Sequence, residues 1–208
     1  MNIRVKDKKH LQTLIKREVK VKGFNCDLNH LDVSQLNDLS DLFYYSKFNG
    51  NISRWNTSRV TDMSSIFYNS QFNGDISTWD TSNVSTMKFA FARSQFTSDI
   101  SKWNTARVQD MDGMFSNSEF NSDISGWNTS QVYTMKQIFS WSKFKGDISS
   151  WNICNLKFAY QVFEESICPL PYWAHCRDQK SRRVEYEKYI LSSNIKQKIA
   201  NNKEINKV

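Results

Sequence analysis

FNGDISTWDTSNVSTMKFAFARS, Phe72 to Ser94, is a unit that the chain rewrites at a fixed interval. Trp55, Trp79, Trp103, Trp127 and Trp151 stand 24 residues apart without drift. Ile52, Ile76, Ile100, Ile124 and Ile148 keep the same step, as do Phe48 to Phe144 and Phe67 to Phe163. A constant period in this range is the mark of a repeat array, in which each unit buries its apolar face against its neighbours. Six copies follow: 23–46, 47–70, 71–94, 95–118, 119–142 and 143–166. The sixth drifts, with Leu156 for valine, Ala159 for methionine and Ile153 for threonine, as a terminal unit should.

The first copy carries leucines where the others carry tryptophan. Leu28-x-x-Leu31-x-Val33 has the spacing of a leucine-rich-repeat strand, and Ile76-x-x-Trp79-x-Thr81 maps onto it. Val84, Met87 and Phe91 are three and four residues apart, which predicts a short helix with Ser82 as its N-cap. Turns such as FNGD, FTSD and FNSD, with Gly50, Gly74 and Gly146 or Ser98 and Ser122, then reverse the chain. The expected fold is an α/β repeat solenoid of leucine-rich-repeat type. Each of its six coils would hold one short parallel strand and one short helix, with helical caps at both ends.

Residues 1–22 form the expected N-terminal cap. Asp7 can cap a helix running to about Val19, with Leu11, Leu14 and Ile15 on one face. Residues 167–208 form the C-terminal cap. Pro169 and Pro171 stop the coils, and Val184, Tyr186, Tyr189, Ile190 and Leu191 predict an apolar helix face. Ser192-Ser193-Asn194 could cap a last short helix, and the tail NNKEINKV is expected to be disordered.

The motif W-[ND]-[TS]-S-x-V-x-x-M-x-x-x-F, preceded by F-N-G-D-I-S, resembles the BspA-like leucine-rich-repeat family over about residues 24–166. Repeats of that family are common in Mycoplasma, Bacteroidetes and Firmicutes surface proteins and occur in phage and protist proteins. The resemblance implies adhesion or protein recognition and brings no catalytic residues with it.

Charge is uneven. Residues 1–22 hold eight Lys/Arg against two acids and residues 177–208 nine against four, which leaves 11 against 15 for the array between them. The net charge of +7 therefore sits at the ends. The opening MNIRVKDKKHLQ is polar, so no signal peptide is expected, and no run of ~20 apolar residues could span a bilayer. A cytoplasmic protein without a membrane partner is expected. Cys26, Cys154, Cys168 and Cys176 are then expected to be reduced, and Cys168-x7-Cys176 is a poor metal spacing, so neither metal nor cofactor is expected.

Only His10, His30 and His175 are available for acid–base work, and no nucleophile elbow or phosphate loop is present. The chain is expected not to be an enzyme. Period-two alternation beside the tryptophans turns His30, Arg54, Thr78 and Lys102 outward in one file. Asn56, Asp80, Asn104 and Asn128 fall in the next. The first file varies as specificity positions would, while the second suits turn capping. Off-pattern aromatics, Tyr133 and Trp141 above all, with Phe89, Tyr44, Tyr45 and Tyr68, complete the candidate contact residues. Trp55, Trp79, Trp103, Trp127 and Trp151 are expected to form a buried stack.

The expected function is a protein–protein interaction module, in one version a phage- or mobile-element-encoded inhibitor of a host defence protein. The alternatives are nucleic-acid association through the basic ends, Lys6–Lys22 and Arg177–Lys188, and adhesion at a surface. The turn aspartates Asp75, Asp99, Asp123 and Asp147 are expected to cap turns rather than hold calcium.

Overall fold

The computed structural model describes residues 2–205, with side chains to Gln197. Its regular elements are β1 (Ile3–Arg4), α1 (Lys8–Lys22), β2 (Leu31–Asp32) and α2 (Gln179–Ile205). From β2 to residue 166 the chain is a stack of 24-residue coils built from turns, and a short segment then leads to α2, so the molecule is a repeat fold with few helices and strands.

The N-terminal cap starts as expected and then departs. Asp7 accepts the amide of His10 at 2.8 Å, α1 buries Leu11, Leu14 and Ile15, and Gly23 at φ 84° ends it by donating to the Val19 carbonyl. The helix reaches Lys22 rather than Val19. Ahead of it, β1 pairs in parallel with β2, Ile3 opposite Leu31 and Arg4 opposite Asp32. The strand expected at Leu28–Val33 is therefore formed in part, at Leu31–Asp32 against the N-terminus, while toward the next coil Leu28 N–H donates to Asn51 O at 2.9 Å.

The strand and helix expected in every coil are not formed. Beside each tryptophan the backbone is occupied locally: Trp79 N–H donates to Ile76 O and Val84 N–H to Thr81 O. Asx side chains take further amides, as Ser77 N–H to Asp75 and Ser82 N–H to Asp80 show. Such local bonds compete with a ladder. Side chains stitch the coils together instead. The Trp79 indole N–H donates back to Ile52 O at 3.1 Å, and the Thr81 hydroxyl donates forward to Asn104 O at 3.1 Å. Both bonds recur, from Trp55 to Leu28 O through Trp151 to Ile124 O, and from Thr57 to Thr129.

The backbone ladder runs where the helix was expected. Met87, Phe89, Phe91 and Arg93 donate to the carbonyls of Asp110, Asp112, Met114 and Ser116, 23 residues ahead. Four such bonds cross every junction from coil one to coil six. The alternate residues close turns, with Ala90 N–H on Met87 O and Ser94 N–H on Phe91 O. Spacing of three and four therefore reflects consecutive turns and not a helix. The third residue of two such turns per coil has positive φ: one file is Asp41, Ser65, Phe89, Gly113, Gln137 and Gln161. The other is Tyr45, Asn69, Arg93, Asn117, Trp141 and Glu165, and all twelve lie at φ 49–60°. A left-handed residue other than glycine costs ~1–2 kcal/mol. The inter-coil bond that each of these amides makes in coils one to five offsets that cost.

Inside the coils, files of stacked aromatic rings run beside buried isoleucine, valine and methionine. Phe72 and Phe96 stack at 6.3 Å between centroids, Phe67 and Phe91 at 5.5 Å, and Phe67 lies 4.4 Å from Phe72 across the files. The five repeat tryptophans are all buried, Trp55 on Trp79 at 6.2 Å. Gly50 belongs to this packing, since a Cβ there would overlap the Cys26 carbonyl oxygen and the Phe48 ring. We expect Gly50→Ala to cost about 1–3 kcal/mol by chemical denaturation. At Gly74 the nearest backbone oxygen, Gly50 O, is 3.2 Å away, so Gly74→Ala should cost less. Equal costs would refute this account of the turn.

At the far end α2 is one continuous helix to Ile205, and no break or new cap occurs at Ser192–Asn194. Residues 201–205 of the expected disordered tail are helical, and 206–208 lie outside the described residues. The apolar face expected on α2 is only partly used. Tyr189 stacks on Tyr172 at 4.8 Å and Tyr186 packs on the core, whereas Val184, Ile190 and Leu191 are exposed.

Candidate recognition surfaces

Two long faces run along the stack. The first carries the file read from the sequence: Arg54, Thr78 and Lys102 are exposed and His30 half-buried. Thr78 donates its hydroxyl to Ser53 O at 2.8 Å, a bond within the scaffold. Arg54 and Lys102 make no side-chain hydrogen bond among the described residues, so their charges face outward. His30 and Arg54 meet across a hollow of about 500 Å³ that Asn2, Asp27 and Asn29 also line. The remaining candidates are spread singly down the coils.

Beside this file, Asn56, Asp80, Asn104 and Asn128 are exposed, yet each uses its Oδ1 on a turn. The acceptors take the amides of Ser58, Ser82, Ala106 and Ser130 at 2.9–3.1 Å. A side chain held this way is preorganised, with the amide nitrogen of each asparagine left over for a ligand.

Several aspartates of this face titrate low. The amides of Ser77, Ser101 and Ser125, and then their hydroxyls, hold Asp75, Asp99 and Asp123 below the ordinary carboxylate value. For Asp80 and Asp147 the hydroxyls of Ser82 and Ser149 lead and the amides follow. A folded pKa below the unfolded one stabilises fully above the unfolded value of 3.8 and is lost as pH falls through the folded value. Melting temperature should hold steady from about pH 8 to pH 5 and fall below about pH 4. A maximum at pH 3 would contradict the sign.

The second face lies over the backbone ladder and is aromatic. Tyr44 stacks on Tyr68 at 4.9 Å and touches Tyr45 at 4.7 Å, and the Lys88 ammonium sits 5.6 Å from the Phe89 ring. Farther along, Tyr133 and Trp141 are exposed, Trp141 at 60%. Trp141 stands at one of the left-handed positions, where its side chain is carried clear of the coil.

Sequence reasoning missed the cluster next to them. Asp112, buried in coil four, accepts the Thr134 hydroxyl and the amide of Lys136, and pairs with the Lys136 ammonium at 3.1 Å. That hydrogen bond raises the Lys136 pKa, and burial raises that of neighbouring Asp110. The same ammonium lies 5.5 Å from the Phe158 ring and 5.4 Å from Tyr160, both exposed. A signal existed. Phe158 breaks a file of Asp38, Asp62, Thr86, Asp110 and Thr134, and Tyr160 follows Ser40, Ser64, Lys88, Asp112 and Lys136.

Among the described residues, no cluster of three or more His, Cys, Asp or Glu side chains could hold a metal ion, and the four cysteines are unbridged. Burial pushes the Cys168 thiol up to about 11, so it is a poor nucleophile. No helix among them is long and apolar enough to cross a membrane.

Compared with known proteins, the chain matches one family, described as Mycoplasma protein of unknown function, DUF285, over residues 12–119 and again over 85–168. Searches of the curated proteins and of the solved structures each returned no match.

Proposed function

We propose that this chain, which belongs to the DUF285 family, is a non-catalytic protein-recognition module of the BspA-like leucine-rich-repeat type. One observation carries the reading. Side chains that recur every 24 residues are committed to the scaffold, whereas the exposed side chains without structural partners are those that do not recur. Arg54, Lys102 and Trp141 are the leading examples. A uniform scaffold that presents a non-uniform surface suits the reading of one partner, and exposed tryptophan and arginine suit contact hot spots. An inhibitor of a host protein, acting in the cytoplasm, is the version we favour.

The test is a pull-down with the full chain, washed in about 0.5 M salt, where screening removes long-range attraction between surface charges. A partner retained by the parent chain and lost by Arg54→Glu/Lys102→Glu or by Trp141→Ala supports the reading. A partner equally retained by all three refutes it. The basic ends favour a second reading. Lys9, Lys16 and Lys20 lie on α1, and Arg183 and Lys188 on α2. Recovery of nucleic acid alone, lost with rising salt, would select it.

A further inference from the structure

Four backbone donors are left over where the ladder ends. Met135, Gln137, Phe139 and Trp141 are the last set to be used, on the carbonyls of Phe158, Tyr160, Val162 and Glu164 at 2.8–3.1 Å. The matching amides of coil six belong to Ala159, Gln161, Phe163 and Glu165, and they reach no acceptor among the described residues. Gln161 and Glu165 keep the positive φ of their files, 56° and 49°, so the edge retains the ladder's conformation. Amide N–H groups of such turns form concave donor sites that take anions or carbonyl oxygens.

What lies beside this edge does not fill it. The segment 167–176 folds over the core, with Trp173 only 2% exposed and its ring 5.7 Å from Phe163. Between that segment and the edge runs a cavity of about 310 Å³, lined by Ala159, Gln161, Phe163, Leu170 and Trp173 among others. The Trp173 indole N–H is buried without an acceptor among the described residues. The cavity adjoins a hollow of about 520 Å³ that Lys157, Tyr160, His175 and Arg177 help to line, with no acidic residue in its wall. One site thus joins the amides of Ala159, Gln161 and Phe163 to a rim that carries Lys157 and Arg177, while Glu164 and Glu165 stand exposed at the other end of the edge.

We propose that the open edge of coil six binds an acidic segment of a partner protein, whose carbonyls add to the ladder as a further rung. At all five earlier junctions the ligand of these donors is a peptide carbonyl of the next coil. The preceding set of donors is filled by carbonyls of alternate residues, 158, 160, 162 and 164, and a partner segment that offers alternate carbonyls to one side repeats that register. Acidic side chains answer Lys157 and Arg177, and an apolar one fits against Leu170 and Phe163. A second copy of the chain is a poorer fit, because Trp173 blocks the core side of coil six and α1 packs against the coil-one end. The proposal rests on the recognition reading but places the contact at the end of the stack.

The experiment is amide hydrogen exchange by NMR on the full chain, with an acetylated, amidated octapeptide of alternating Glu and Val. In the free protein, amides 159, 161, 163 and 165 should exchange at least ~100-fold faster than 135, 137, 139 and 141. Saturating peptide should slow them by at least ~10-fold, and the Lys/Val peptide should not. Lys157→Glu/Arg177→Glu should abolish the effect while leaving the free exchange pattern unchanged. Equal protection of the two sets without peptide would overturn the proposal. So would failure of the Glu/Val peptide to protect the edge, or protection by octathymidylate where the peptide gives none. If Arg54 and Lys102 variants lose a partner while the edge stays unprotected by peptide, the recognition reading survives and this site fails.

Discussion

Trp103→Ala should destabilise the stack by about 3–5 kcal/mol, the range for deleting a large buried aromatic side chain. Trp103 is 4% exposed, its ring lies 5.8 Å from that of Phe91, and its indole N–H donates to Ile76 O at 3.1 Å. Alanine removes the packing and also strips the acceptor of its only cross-coil donor. Trp103→Phe keeps a ring and loses the bond, so about 1–2 kcal/mol of the loss should come from that substitution once the smaller ring is included. Thr105→Ala, which removes the forward bond to Asn128 O, should cost about 1 kcal/mol. Urea denaturation followed by tryptophan fluorescence and by circular dichroism checks the series. A loss below 1 kcal/mol for Trp103→Ala would mean that the tryptophan file does not hold the coils together.

A buried cation, Arg182, ties the C-terminal cap to the last coil. Arg182 is 1% exposed, and its guanidinium donates to Leu156 O through Nε and Nη2, to Lys157 O through Nη2 and to Cys176 O through Nη1, at 2.9–3.2 Å. No carboxylate pairs with it among the described residues, and burial lowers its pKa, so the carbonyls of Leu156, Lys157 and Cys176 are what stabilise the charge. Arg182→Ala leaves those carbonyls unpaired and removes the main polar tie between α2 and coil six. We expect a loss of about 3–5 kcal/mol for docking of the cap, since hydrogen bonds to charged groups contribute ~1.5–3 kcal/mol each. Lysine should recover less than half, because a compact ammonium lacks the fixed fork by which the guanidinium reaches Leu156 O, Lys157 O and Cys176 O together. Limited proteolysis between Cys176 and Ile190 gives the readout. Persistent resistance in Arg182→Ala would sink this account of the cap.

The period, the coil boundaries and the buried aromatic files were legible in the sequence, because each depends on side-chain identity at a fixed interval. Internal conformation was not. Val84, Met87 and Phe91 have helical spacing, but two left-handed residues per coil give the same inward positions by a succession of turns. Of twelve residues in those files only Gly113 is a glycine, so the usual flag for positive φ was missing. Trp79 and Thr81 read as strand residues because they alternate. Their side chains then supply the cross-coil bonds that a strand's backbone would have made.

Exposure of Trp141 and Tyr133 could be foreseen from their departure from a file. Phe158 and Tyr160 depart just as clearly, but in a copy whose irregularity reads as terminal decay. The open amides of coil six could not be read at all, since every residue but proline has an amide N–H and only the count of stacked neighbours decides which are free.

The 23-residue offset of the ladder makes chain length a quantised variable. Removing Gln95–Ser118 as a block joins Ser94 to Glu119 and returns every later residue to its own file, one coil nearer the start. Removing one residue instead shifts each later tryptophan, phenylalanine and left-handed position out of line with its predecessor. Variation among relatives should therefore accumulate as whole multiples of 24 residues. With ~4.8 Å of rise per coil, the number of copies sets the distance between the two basic caps, as graduations do on a ruler.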